Sequence, residues 1–331
     1  MRIAILGAGS WGTALAQMLA GGQHETCLWA RDQVLAQRLA STRCNDAYMP
    51  GVQLRPSVRV SGDLAEVVED AAIAIMAVPT HGMRAIVESC APLLRRECLV
   101  VSAAKGFEER TCMTMSEVIV DTLGEMRRSQ VAAISGPNIA PEIAAGKPAA
   151  TVVASADEKT AMKIRDACTG PQLRFYSNCD LIGVEYGGAL KNVVAIAAGA
   201  CDGMEVGDNG KAAIITRGIA EMSRLGAAAG ARPLTFAGLT GLGDCIVTCM
   251  SGYSRNRRLG EAVGRGKTLE EALAATTMVV EGVNATRVAV GLAEKHAIDM
   301  PIAREVHSVL FENKKAGAAL ADLMSRGTVD E

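Results

Sequence analysis

The chain has 331 residues, enough for two domains with cores of their own, and its 34 basic against 36 acidic residues give a formal net charge of -2. That balance argues against a nucleic-acid or anionic-membrane surface as the main partner, so any basic cluster must serve a local purpose. Hydrophobic residues make up 49% of the chain but aromatics only 3%, which leaves Ala, Val, Leu, Ile and Met to build the interior.

At the N-terminus "RIAIL" (2–6) is a short apolar run, "GAGSWG" (7–12) follows it, and "TALAQMLA" (13–20) continues with helical composition. This is G-x-G-x-x-G set between a strand and a helix, the pattern of a dinucleotide site. Gly7 permits the tight turn, Gly9 lets backbone approach a pyrophosphate, and Gly12 allows close packing of helix on strand. The helix start adds free N–H groups and the positive end of a dipole. Residues 3–22 carry no charge, which superficially resembles an export signal or a membrane span. Five glycines, Ser10, Thr13 and Gln17 within them read against that, so a cytoplasmic chain without membrane insertion is expected.

The second strand, "ETCLWA" (25–30), comes at the expected distance. A site built for NAD would end it on Asp or Glu to hold the ribose hydroxyls; here Arg31 comes first and only then Asp32. Arg31 can pair a 2′-phosphate and stack on adenine, so NADP is the expected preference, with NAD accepted. Alternation continues through "AAIAIMAVP" (71–79), a helical "HGMRAIVESCAPLL" (81–94), "CLVVSAAKG" (98–106), "VAAISGP" (131–137) and "TVVAS" (151–155). Short apolar runs between helices predict a mostly parallel, doubly wound sheet, whose ligands lie at the carboxyl ends of the strands. Pro79, Lys105 and Gly136 all lie just past strand ends and can face one crevice.

After "LRFYSN" (173–178) strand-like runs stop. The expected fold is therefore an α/β Rossmann-type doubly wound sheet over residues 1–183, followed by an all-α domain over 184–331. "VEYGGALKNVVAIAAGACDG" (184–203) reads as a helix buried on most sides, in which Lys191 is an uncommon charge unless paired or functional. Asp244 in "TGLGD" is a second such charge, either functional or an N-cap. Ten cysteines without regular spacing, Cys245 and Cys249 among them, suit small buried thiols in a reducing compartment, and no metal is expected. "SRNRRLG" (254–260) gathers Arg255, Arg257 and Arg258 around Asn256, straight after Ser254. Guanidinium forks match phosphate oxygens, so this is an anion site or else a solvated helix face.

Taken in order, "GAGSWGTALA", "SAAKGFE", "ISGPNIAPE", "YGGALKNVVAIAAG", "TGLGDCIVTC" and "SRNRRLG" resemble the bacterial NAD(P)-dependent glycerol-3-phosphate dehydrogenases across nearly the whole chain. The resemblance implies a Rossmann domain, a helical domain, and a cleft site that interconverts dihydroxyacetone phosphate and sn-glycerol 3-phosphate for phospholipid synthesis, in a homodimer. It implies that Lys191 is the general acid and base, that Asp244 orients it, and that Lys105 serves both substrate and cofactor. Burial and the neighbouring Lys105 would lower the pKa of Lys191 toward a useful value. The implied substrate contacts are Lys105, Gly136, Asn138, Lys191, Asp244, Ser254, Arg255 and Asn256. The implied cofactor contacts are Gly7, Gly9, Ser10, Trp11, Gly12, Arg31, Lys105, Ala140, Arg255, Val279 and Glu281. Asn138 departs from the family, which usually has Ser or Thr there, although an amide can still hydrogen-bond substrate. Alternatives are another two-domain β-hydroxyacid or phosphogluconate-type dehydrogenase, a non-catalytic NADPH-sensing protein, and RNA binding through the arginines. Against the last stand the balanced charge and the lack of an aromatic platform.

Overall fold

Strand β1 (Arg2–Leu6) is apolar after its first residue and sits inside the sheet, where both faces of a strand must be covered. The structure, a computed structural model, describes residues 1–276 and 278–327; Thr277 and the last four residues of the expected second domain lie outside them. The remaining strands are β2 (Glu25–Trp29), β3 (Cys44–Asn45), β4 (Met49–Gln53), β5 (Val58–Ser61), β6 (Ala71–Met76), β7 (Leu99–Ser102), β8 (Val131–Ser135), β9 (Ala149–Ser155) and β10 (Leu173–Asn178). In the first half they alternate with α1 (Ser10–Leu19), α2 (Gln33–Thr42), α3 (Leu64–Val68), α4 (Met83–Cys90), α5 (Met115–Leu123), α6 (Ala140–Ala144) and α7 (Glu158–Cys168). The second half is α8 (Leu181–Gly203), α9 (Asp208–Ala228), α10 (Asp244–Met250), α11 (Arg255–Gly264), α12 (Leu269–Ala274), α13 (Glu281–Lys295), α14 (Pro301–Phe311) and α15 (Ala316–Ser325).

Eight strands form one sheet in the order β10-β9-β8-β7-β6-β1-β2-β5. All neighbours are parallel except β8 and β9. The chain order reverses between β1 and β6, which opens a crevice above their carboxyl ends. One face of the sheet buries Ile3, Ile5, Leu28 and Ile73 against α1, α2 and α7; the other buries Ala4, Leu6, Ala74 and Met76 against α3, α4 and α5. Two elements depart from the sequence expectation. β5 adds an edge strand, and β3 and β4 form a small antiparallel hairpin whose Pro50 and left-handed Gly51 disguise it as a loop.

Helix α8 begins at Leu181, ahead of the expected Val184, because the Asp180 side chain accepts the Gly183 N–H as an N-cap. It has the length and hydropathy of a membrane span, but 83% of its apolar window is buried inside the protein. Around it α9, α10, α11, α13 and α14 build the helical core. Small residues let α11 lie on α8 at backbone contact. A Cβ on Gly199 would stand 2.0 Å from the Arg257 carbonyl oxygen, and one on Gly260 1.9 Å from that of Ile196. The helix of Lys191 and the helix of the arginines are thus held in register by main chain.

Candidate active site

The glycine turn lies over the crevice between β1 and β6. Gly7 has φ +118°, and a Cβ there would stand 2.5 Å from the Ala77 carbonyl oxygen beyond β6. A Cβ on Gly12 would lie 1.9 Å from the Gly7 carbonyl oxygen, so helix α1 can start only this close to the strand without a side chain. A Cβ on Gly9 would meet nothing within 4 Å, and it would stand on the open side of the turn. The residues therefore fit a pyrophosphate laid against backbone at a helix start. Ser10 donates to the Tyr48 carbonyl at 2.6 Å, and Trp11 is half-buried beside it. Arg31 is exposed directly after β2, while Asp32 caps α2 by accepting the Val34 and Leu35 N–H groups. Ala140 opens α6, which packs on α1.

Three charged groups meet where the two halves join. Asp244, 1% exposed, accepts from Lys191 Nζ on one oxygen and from Lys105 Nζ at 2.7 Å on the other. Lys191 also donates to Thr248 Oγ1 at 2.8 Å, and Lys105 to the Gly136 carbonyl at 2.7 Å. Asp244 is not an N-cap: it is the first residue of α10, and its side chain turns inward to the lysines. Gly188 makes this meeting possible, because a Cβ there would lie 2.5 Å from Ser135 Oγ at the end of β8 and would push α8 away. Thr248, one turn after Asp244, was not anticipated; the i, i+4 spacing on one helix is the signal that could have found it.

Two ammonium groups share one carboxylate, so the cluster carries a surplus positive charge while both lysines are protonated. Burial, only partly offset by Asp244 and reinforced by Lys191, pushes the Lys105 ammonium down to about 8.

Gly136 adopts φ +148° just past β8 and packs on Thr151 of β9. Asn138 is tied to the same strand, its Oδ1 accepting from Thr151 Oγ1 at 2.9 Å. Ser254 is the N-cap of α11, accepting the Arg257 N–H. Asn256 is turned into the protein: it donates to Asn192 Oδ1 at 2.8 Å and accepts the Gly282 N–H at 2.9 Å. Arg255 donates to the Val279 carbonyl at 2.5 Å, and burial lowers its pKa from the usual guanidinium value. Arg257 pairs with Asp202 at 2.7 Å, and Arg258 is exposed. Glu281, the first residue of α13, accepts from Thr80 Oγ1 at 2.7 Å and from its N–H at 3.2 Å. Thr80 follows β6, so this contact also bridges the two halves.

Two family models match the chain. That for the NAD-dependent glycerol-3-phosphate dehydrogenase N-terminus covers residues 2–161, and that for the C-terminus covers 180–321. A glycerol-3-phosphate dehydrogenase (NAD(P)+) of Moorella thermoacetica is 47% identical over 99% of this chain and 97% of its own. One from Salinibacter ruber is 46% identical over 99% and 96%. A crystal structure of glycerol-3-phosphate dehydrogenase from Coxiella burnetii superposes with a TM-score of 0.92 at 36% identity, covering 98% of this chain and 99% of that one.

Proposed function

The chain belongs to the NAD-dependent glycerol-3-phosphate dehydrogenase family, and on that premise we propose how its own residues perform the reaction. It is an oxidoreductase that interconverts dihydroxyacetone phosphate and sn-glycerol 3-phosphate with NAD(P)H. The observation that carries the mechanism is the Asp244 carboxylate shared by Lys191 and Lys105.

Lys191 has three N–H bonds, of which Asp244 and Thr248 take two. The third is free to meet the substrate carbonyl oxygen and to pass it a proton as the alkoxide forms; in reverse the same nitrogen accepts the proton. Asp244 fixes the direction of that bond. Lys105, anchored by Gly136, places the second positive charge beside the developing oxyanion and the phosphate. The nicotinamide, when bound, supplies the hydride. We assign its pyrophosphate to Gly7, Gly9, Ser10, Trp11 and Gly12, a 2′-phosphate to Arg31, and its farther contacts to Ala140, Arg255, Val279 and Glu281. NADPH is the preferred form in this reading, with NADH accepted. Ser254, Arg255 and Asn256 form the phosphate end of the substrate site, with Arg255 as the charged donor and Asn256 as the residue that holds the helix start in place.

We assign most of cofactor binding to residues 1–183, with Arg255, Val279 and Glu281 reaching it from the second half, and substrate chemistry to 184–331, with Lys105 reaching across the boundary at the head of α8. The small-molecule phosphate is the partner of the site; a cytoplasmic homodimer that supplies glycerophospholipid synthesis is the setting we assign to it. NADPH oxidation is followed with dihydroxyacetone phosphate and, separately, with dihydroxyacetone. Rapid turnover of the phosphorylated ketone alone is expected. Equal rates on both would overturn the phosphate site, and no oxidation of NADPH with either would overturn the reaction.

A further inference from the structure

The hairpin that the sequence concealed runs along the start of α1 and touches it repeatedly. Tyr48 accepts the Ser10 hydroxyl at 2.6 Å, and the Arg55 N–H donates to Gln17 at 2.7 Å. The innermost contact is Asn45, whose side chain is 0% exposed. Its Nδ2 donates to the Ala8 carbonyl at 2.9 Å and to Thr13 Oγ1 at 2.7 Å. A carbonyl oxygen can only accept, so the atom facing Ala8 must be the amide nitrogen and the orientation of Asn45 is fixed. Its Oδ1 is left buried without a hydrogen-bond partner among the described residues. That is unfavourable for stability, and it marks Asn45 as a residue kept for what its nitrogen does.

The Ala8 carbonyl belongs to the peptide that joins Ala8 to Gly9, in the middle of the glycine turn. That peptide is planar, and the chain has no cis bonds among the described residues. In a trans peptide the C=O and the N–H point in opposite directions. Drawing the Ala8 oxygen onto buried Asn45 therefore turns the Gly9 N–H the opposite way, away from Asn45, and a Cβ on Gly9 would meet nothing within 4 Å. Glycine at this position lowers the barrier to rotating that peptide over, so something outside the turn has to hold it. We propose that Asn45 is a positioning residue for cofactor binding, locking the Ala8–Gly9 peptide so that the Gly9 N–H is presented to the cofactor's pyrophosphate. It acts through the turn and touches neither the cofactor nor the substrate. This rests on reading the turn as the pyrophosphate site, as proposed above.

Asn45→Asp keeps the shape of the side chain and replaces the donor by an oxygen that repels the Ala8 carbonyl. Dissociation constants for NADPH and for 2′-AMP, which lacks the pyrophosphate, are measured on wild type and variant, together with kcat and the KM for dihydroxyacetone phosphate. We expect NADPH to bind about tenfold or more weakly, the scale of a lost hydrogen bond to a charged group. 2′-AMP, kcat at saturating NADPH and the ketone KM should stay within about twofold of wild type. Unchanged NADPH affinity with a lowered melting temperature would overturn the proposal and leave Asn45 a residue of the fold. Equal weakening of 2′-AMP and NADPH would overturn it as well. Should the aspartate variant not fold, Asn45→Ser, smaller and neutral, carries the same comparison. Failure of wild type itself to bind NADPH would instead sink the assignment of the turn.

Discussion

Lys191 and Asp244 are partners across 53 positions of chain, brought together by α8 and α10, and each is almost wholly buried. A buried charge that lacks its partner is strongly unfavourable, so the pair must be read as a unit. Lys191→Met removes the proposed proton donor while keeping an unbranched apolar chain of similar length. It should lower kcat by at least about 100-fold, the usual scale for a lost general acid, with NADPH affinity intact. Asp244 still has Lys105 to neutralise it in that variant, so the fold should persist. Stopped-flow turnover beside NADPH titration measures both; near-normal turnover would remove Lys191 from the mechanism.

Arg255→Ala tests the phosphate end. A hydrogen bond to a charged group contributes roughly 1.5–3 kcal/mol, so kcat/KM for dihydroxyacetone phosphate should fall by about 10- to 150-fold. Dihydroxyacetone should be a poor substrate already and lose little more. Arg255→Lys should restore only part, since an ammonium lacks the planar fork. Because Arg255 also holds the Val279 carbonyl, the comparison of the two ketones is the decisive readout. Equal losses on both would mean that the arginine supports the segment before α13 and not the substrate.

Arg31→Ala should weaken NADPH by more than it weakens NADH, because only NADPH has a 2′-phosphate to lose. The exposed position directly after β2, beside an Asp32 already engaged as a helix cap, motivates the expectation. Calorimetric titration of both cofactors on both proteins measures the difference; equal changes would make Arg31 ordinary surface charge.

Two buried carboxyls set a pH dependence of stability. Burial pushes Glu185, held by Ser116, and Glu221, which caps α14 by accepting the Ile302 and Ala303 N–H groups, up to about 7. Each is raised above its unfolded value, so the folded state holds the extra proton. The resulting stabilisation is complete below about 4.5 and is lost as pH rises through about 7, on the order of 3 kcal/mol per group. In that window paired carboxylates such as Glu108, held down to about 2 by Arg84, are ionised in both states and add no slope. Lys105 acts with the opposite sign but only above about 8. The melting temperature should therefore fall between pH 5 and 8, and Glu221→Gln should remove about half of the slope. A melting temperature independent of pH over this range would contradict both carboxyls.

Local chemistry made some of this legible and long-range contact hid the rest. The glycine turn, Lys105 past a strand end and Lys191 in an apolar helix each follow from a few adjacent residues. The β3–β4 hairpin did not, because Pro50 and Gly51 are loop residues by composition and the strand forms around them only through the pairing of Met49 with Asn45 and Gln53 with Cys44. Asp244 read equally as a cap, since nothing near it in sequence reveals two lysines that arrive from 53 and 139 positions away. The contacts that hold Asn256, those with Asn192 and Gly282, lie on α8 and α13 and are not visible from its neighbours in the chain. Thr80 and Glu281 find each other across 201 positions, a distance at which no spacing rule operates.

The scarcity of aromatics has an optical consequence. The chain has two tryptophans, Trp11 after the glycine turn and Trp29 at the end of β2, where its Nε1 donates to the Gly62 carbonyl. Indole emission therefore arises from the sheet half alone, close to the carboxyl ends of β1 and β2, while far-ultraviolet dichroism is weighted toward the helices of the other half. The two signals watch different ends of one molecule. If they trace the same unfolding curve, the lysine–carboxylate junction couples the halves into one cooperative unit, and if they separate, each half melts on its own.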